Sequence, residues 1–379
     1  MSAWIPLFVL PNLRVKAPVE LEYLALVATD DPRCEEIAKR NQNFYPFLNS
    51  FTDAFQRQVI PSVLIARADA PPWVMSMEAI GSFRDAISIS SIVHNRTNTI
   101  IYGHARNNQY STFFEFYAWI FSKDLNLLTT NNPALAGFDR FNEFKGQSIA
   151  GLPVSHWDYL EYDEVLLKAL LGEWTRHYSS PTPRWRSTAL FRSLNMAHAA
   201  AQVPGYADLT SQSLGRSVAL WVSACEILTR PHNGEAGYKE VYRVLENVDW
   251  RTEDCKKLAY DCYEGRTKKK VDLPKRNIAC WLYGELFQAR NDYLHGRPMA
   301  DDRLVIQSTG KSMFMYTHPL YRLLLTGFLG LDHYGPFVPK EPGESPYDFA
   351  GMLNFRFVNR QGDHERALDR ILRPRDHRD

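Results

Sequence analysis

The residues best suited to chemistry stand in "ARNDYLHGRP", positions 289–298, where Arg290, Asn291 and His295 fall within six positions. On a helix Asn291 and His295, four apart, stack on one face, with Arg290 about 140° around from His295 at the edge of that face. Gly296 suits the left-handed position that ends a helix and Pro298 blocks its continuation, so His295 is expected in the last turn. There the helix dipole favours imidazolium. A histidine that exchanges protons near neutral pH, beside a guanidinium that clamps phosphate with two hydrogen bonds, is a minimal phosphodiester toolkit. RNA supplies the rest, because its own 2′-hydroxyl can attack the adjacent phosphorus without a metal-activated water. The same position also suits a histidine that caps the last carbonyls, and spacing alone leaves both readings open. Arg192 with His198 and Arg370 with His377 repeat the spacing approximately, while "ARNNQY" at 105–110 echoes only its start.

The elements that must position these residues are helical. Ile278, Leu282, Leu286, Ala289 and Tyr293 make the apolar stripe of a helix starting after Pro274, and Leu214, Val218, Trp221, Cys225 and Leu228 line another. "DEVLLKALLGEWTRHY", "RWRSTALFRSLNMAHAAAQV" and "PLYRLLLTGFLGL", the last with Thr317 as N-cap, predict three more, giving a bundle over 156–335. Before it, residues 1–155 read as a β-rich domain. The opening "MSAWIPLFVLPNLRV" predicts a first strand, one amphipathic helix is expected around "CEEIAKRNQNFYPFLNSFTDAFQRQV", and "AISISSIVH", "NTIIYGHA", "TFFEFYAWIFS" and "LNLLTTNNPALAGFDRF" predict strands. Residues 336–379 read as a Pro/Gly-rich linker and a basic tail, an appendage with seven arginines from Arg356 onward against five acids. The fold class expected is α+β: a β-rich N-terminal domain followed by an all-α bundle.

"YGELFQARNDYLHGRP" resembles the Arg-x4-6-His signature of the HEPN superfamily of bundle ribonucleases, and "SVALWVSACEILTR" is similar to the preceding helix of its Apea-like branch. The likeness spans about 160–330. It implies a homodimer in which two facing Arg-His helices form one metal-independent ribonuclease site that leaves a 2′,3′-cyclic phosphate. Arg290, Asn291 and His295 match the motif positions and Glu226 the acidic position of the other helix, in a supporting role. By analogy with bacterial antiviral systems, residues 1–155 would sense a phage-derived trigger and the bundle would cut single-stranded or loop RNA, such as tRNA, in abortive infection. A catalytically silent bundle that binds RNA or a partner protein, and the toxin of a toxin–antitoxin pair, are the alternatives.

The remaining sequence adds context. "GRTKKKVDLPKR" places Lys268, Lys269 and Lys270 just before the Arg290 helix, where with Arg297 they are expected to hold RNA phosphates. A net charge of +1 gives no global footprint for a polyanion, so such binding must be local. "SHWDYLEYDE" gathers His156, Asp158, Glu161, Asp163 and Glu164 but lacks zinc-ligand spacing, and neither a metal nor a cofactor is expected. Phosphate-loop, dinucleotide and nucleophile-elbow motifs do not occur. Five cysteines without Cys-x-x-Cys spacing argue against disulfides and zinc ribbons and for a reducing cytoplasm, with Cys255 and Cys262 expected on one helix. No stretch approaches the roughly 18 apolar residues of a membrane span, so no membrane partner is expected.

Overall fold

The computed structural model describes residues 3–52, 56–103, 109–116, 119–121, 128–130, 159–202, 211–234, 237–265, 273–297, 302–331 and 361–373. The fold is α+β, and the chain forms two compact units: 1–84 with 106–161, and 85–105 with 162–379. This division differs from boundaries at 155 and 335 in two respects. Residues 85–105 belong to the second unit, and so does the C-terminal segment.

The first unit is built on an antiparallel sheet ordered β1-β4-β3-β2, with β1 Trp4–Leu10, β2 Val19–Glu20, β3 Leu24–Ala28 and β4 Ser62–Arg67. Alternate residues Val9, Ala25, Val27, Val63 and Ile65 share a core with Ile37, Phe44, Phe47 and Phe51, as the two-residue period of a strand requires. The single amphipathic helix expected here is two helices, α1 Pro32–Arg40 and α2 Phe44–Leu48. Asn41 is extended and its side chain accepts from the Asn43 amide at 2.8 Å, a local turn that competes with helix. Pro46 then lacks the N–H that continuation would need. A short ladder pairs β5 Trp119–Phe121 with β6 Leu128–Thr130. Residues 131–158, with the rest of the expected last strand, His156 and Asp158, lie outside the described residues.

The largest departure is at "AISISSIVH" and "NTIIYGHA": in place of two strands there is one helix, α3 Met77–Tyr102. The alternation of Ile and Ser imitates a strand, but here both sets are buried, Ile87, Ile89, Ile92 and Val93 together with Ser88, Ser90 and Ser91. A helix buried all round shows no amphipathic period. Some of its polar side chains bond back to the helix, Ser90 Oγ donating to the Ala86 carbonyl at 2.8 Å and Asn95 Nδ2 to the Ser91 carbonyl at 3.0 Å, while Ser88 and Thr97 bond to His198 and His364. The β-rich expectation for the first 155 residues therefore fails at this segment.

The second unit is helical, with α4 Glu164–Tyr178, α5 Trp185–Ala200, α6 Ser211–Thr229, α7 Tyr238–Glu246, the single turn α8 Glu253–Lys256, α9 Ile278–Leu294 and α10 Thr317–Leu329. The predicted stripes are its core: Val218, Trp221, Cys225 and Leu228 on α6 and Ile278, Leu282, Leu286 and Ala289 on α9 are all buried. α6 meets α9 closely because Gly215 has no side chain; a Cβ there would lie 2.3 Å from the Tyr293 ring. Thr317 is the first residue of α10 rather than its cap, its hydroxyl donating back to the Phe314 carbonyl at 2.8 Å. Cys255 and Cys262 do not share a helix, since β7 Tyr260–Asp261 intervenes and pairs with β8 Lys275–Arg276. All five cysteines are free and buried, and burial pushes the thiols of Cys34, Cys255 and Cys262 up to about 12. No helix among the described residues is long and apolar enough to cross a membrane.

Residues 361–373, expected to belong to a solvated appendage, are packed into the second unit. Residues 361–369 form a helix, α11, whose Ala367, Leu368 and Ile371 just beyond are buried. The Glu365 carboxylate accepts the amides of Arg251 and Thr252, the latter at 2.6 Å, and Arg370 donates to the carbonyls of Ile100 and Ile101. His364 Nδ1 meets Thr97 Oγ1 at 2.7 Å while its Nε2 stands 3.6 Å from Asp163 Oδ2, an electrostatic contact rather than a hydrogen bond. Asp163 also caps α4 through the Leu166 amide and accepts from Arg322 Nε at 2.7 Å, both charges wholly buried. Burial alone would raise Asp163, but Arg322 and His364 more than offset it and hold the carboxyl far below its usual range. Burial lowers His364 to about 4, against the pull of Asp163.

Two outcomes follow. Asp163→Ala leaves Arg322 buried without its anion and should cost about 3–5 kcal/mol in urea unfolding. His364, held at about 4 against an ordinary 6.5, binds its proton later in the folded than in the unfolded chain. Its contribution is complete above pH 6.5 and is lost as pH falls towards about 4, amounting to roughly 3 kcal/mol. His364→Gln should flatten that acid limb, leaving a residual slope from His318, which burial also lowers.

Candidate functional site

α9 begins at an N-cap, Asn277, whose side chain accepts the Cys280 amide at 2.9 Å, and runs without a break to Leu294. His295 is its C-cap residue and Gly296 follows at φ +68°, the left-handed conformation expected of it. Arg297 N–H returns to the Asp292 carbonyl at 2.9 Å and Gly296 N–H to the Tyr293 carbonyl at 3.2 Å, the paired closure of a Schellman end. The His295 amide takes the Asn291 carbonyl at 3.0 Å. Backbone amides thus close the helix end, and the imidazole is not used as a cap. His295 is exposed, and its side chain makes no hydrogen bond or ion pair among the described residues. Pro298 lies outside them.

Arg290 turns the other way, into the contact between α9 and α6. One terminal nitrogen donates to Glu226 Oε2 at 3.2 Å and the other to Asn291 Oδ1 at 3.1 Å, while the guanidinium lies 5.5 Å from the Phe287 ring centre. Its Nε is buried with no hydrogen-bond partner. Asn291 also accepts a hydrogen bond from Arg290. Glu226 is buried between the helices, and burial raises its pKa more than the Arg290 charge lowers it. Arg290 with 22% of its side chain exposed retains an outward edge, and His295 supplies an open imidazole five residues further on. The pair can exchange a proton at one edge and neutralise an anion at the other.

The other expected contacts divide. Arg297 is exposed and pairs loosely with Asp292 at 3.3 Å, a bond weak enough for phosphate to replace. Lys268, Lys269 and Lys270 lie outside the described residues. Arg276, from the same basic run, is mostly buried and held by Glu264 and Glu246, whereas Lys275 meets Asp261 in an exposed pair. One member of each rival pair is committed elsewhere in the fold, and His377 lies outside the described residues. His198 is buried against Ser88 Oγ at 2.8 Å and Asp85 Oδ1 at 3.4 Å, and Arg370 holds α3 carbonyls. Asp163 of the acidic stretch belongs to the Arg322 cluster, and the described residues hold no group of three metal-ligating side chains.

Two contributors escaped the sequence reading. Arg303 bridges Glu285 and Asp292, at 3.2 and 3.4 Å, and so braces the last turns of α9. It lies outside α9, and no spacing rule connects it to the helix. Phe287, beneath Arg290, was legible in principle, since residues three apart share a helix face.

Arg290→Ala strands Glu226 as a buried carboxylate and should destabilise the fold by about 1–3 kcal/mol. Adding Glu226→Gln should recover much of that loss, giving a coupling of roughly 1 kcal/mol or more in a urea double-mutant cycle. Simple additivity within about 0.3 kcal/mol would mean that the pair carries no interaction.

No protein-family model, curated protein or solved structure matches this chain.

Proposed function

We propose that this chain is a metal-independent endoribonuclease of the HEPN type, working as a homodimer on single-stranded or loop RNA such as tRNA. The observation that carries the reading is the state of His295: exposed, uncommitted, and fixed at a helix end already closed by its own backbone. A structural cap would be engaged there. The Arg-x4-His spacing and the preceding helix with Glu226, now seen paired to Arg290, support the family resemblance.

The chemistry follows from the residues. The substrate 2′-oxygen attacks the adjacent phosphorus as a base removes its proton, and the 5′-oxygen leaves as an acid returns one. One protomer offers one open imidazole on α9, so the second is assigned to a partner across a twofold axis near His295. Arg290 neutralises charge growing on the non-bridging oxygens, with Glu226 and Asn291 setting the plane of its guanidinium. Unpaired RNA is favoured because A-form stacking holds the 2′-oxygen out of line with the leaving group.

In this reading the protein acts in the cytoplasm in abortive defence against phage, with the first unit responding to a phage-derived trigger. One observation favours a second reading, a bundle that binds RNA or a protein without cutting: both terminal nitrogens of Arg290 already contact protein groups.

Incubating the purified protein with total RNA in excess EDTA separates the two. Cleavage should persist, and His295→Ala should reduce it by about 100-fold or more at unchanged thermal stability, since the side chain contributes nothing to packing. Arg192→Ala, on an exposed position of α5, should keep full activity. An intact His295→Ala protein that cuts at the parental rate, or a parental protein that binds RNA and leaves it whole, overturns the proposal.

A further inference from the structure

A cleft of about 720 Å³ opens where the end of α4, the start of α5 and the end of α10 come together. Arg176, Arg184 and Arg186 line it against a single acid, Glu173, with the hydroxyls of Ser180 and Thr182 beside them. The three guanidiniums differ in their commitments. Arg184 is exposed, and its side chain makes no hydrogen bond or ion pair among the described residues. Arg186 is fixed over the Phe328 ring, 4.5 Å from its centre, and donates to the Phe328 carbonyl, which leaves the other edge of its fork open. Arg176 meets Glu173 at 2.5 Å in a pair whose arginine is 70% exposed, the kind of surface contact an incoming anion replaces at little cost.

This concentration of charge is local, because the chain as a whole is nearly neutral at +1. Unbalanced cations in a concave site focus the potential onto an anion, and planar guanidinium forks match the spacing of phosphoryl oxygens. The size adds a second constraint. A volume of about 720 Å³ falls within the roughly 300–1,000 Å³ of small-molecule pockets and leaves room for more than one phosphate.

The cleft is also remote from His295. Trp185, at the start of α5, donates Nε1 to the carbonyl of Arg230 just past the end of α6. Gly215, near the other end of α6, packs on Tyr293, two residues before His295. Fifteen residues of helix separate Gly215 from Arg230, about 22 Å along the axis.

We propose that this cleft is a binding site for phosphoryl groups, of nucleotide size, held by Arg184, Arg186 and Arg176 at the end of α6 opposite His295. It does not depend on the ribonuclease reading. The test is calorimetric titration of the full chain with ADP, with adenosine, and with a ten-nucleotide single-stranded RNA. ADP should bind saturably and more weakly as salt rises, adenosine should give no heat, and Arg184→Glu should weaken ADP at least about tenfold at an unchanged melting temperature. If the RNA binds, ADP does not, and Arg184→Glu removes the RNA, the same phosphate site serves a polynucleotide. No saturable binding of either ligand, or binding that Arg184→Glu leaves intact, overturns the proposal.

Discussion

A carboxylate buried between two packed helices is favoured by a cation beside it, and the pair of Glu226 with Arg290 organises the candidate site. Glu226 on α6 is buried, and Arg290 on α9 is the group that meets it. The ion pair fixes where Arg290 points, and Gly215 lets α9 approach α6 closely enough for the pair to form. The position of His295 then follows from the length of one helix. Arg290 is held by Glu226 and Asn291 and the His295 side chain by none of the described residues, which suits a charge-neutralising group and a proton-transfer group, respectively. The raised pKa of Glu226 shows that the pair is held at a cost in desolvation, as interior ion pairs usually are.

A second buried charge cluster does for the ends of the chain what this pair does for the site. Arg322 on α10 takes Asp163, which caps α4, and His364 of α11 completes the cluster. Elements far apart in sequence are thereby pinned to one bundle: α3 through Thr97, the tail through His364 and Glu365. The helices that carry Glu226 and Arg290 are consequently part of a bundle closed by its own C-terminus.

Much of this was legible in the sequence, and the reasons are physical. The stripes of α6 and α9 declare themselves because each has one buried face, and Gly296 declares the end of α9 because few residues accept its backbone conformation. α3 reads as strands because its middle, Ile, Val and Ser buried all round, carries no amphipathic period. The tail reads as solvated because Gln361, His364 and Glu365 are polar, whereas all three are buried and bonded to distant groups that composition does not reveal. The Arg290–Asn291 bond has no signature in the spacing, because helix spacing places Cβ atoms and the long side chain of Arg290 reaches the amide of its neighbour. The arginine cleft had no linear signature, since Phe328 and the arginines of α4 and α5 meet only in the fold.

The central claim is that His295 and Arg290 act on a 2′-hydroxyl nucleophile supplied by the RNA itself. The most direct measurement uses a short single-stranded RNA cut at a mapped position, resynthesised with one 2′-deoxynucleotide on the 5′ side of that bond. The cut should disappear at that bond alone, and the unmodified RNA should yield a 2′,3′-cyclic phosphate and a 5′-hydroxyl by mass spectrometry. Cleavage of the deoxy-substituted bond at the parental rate, or products bearing a 5′-phosphate, would contradict the claim.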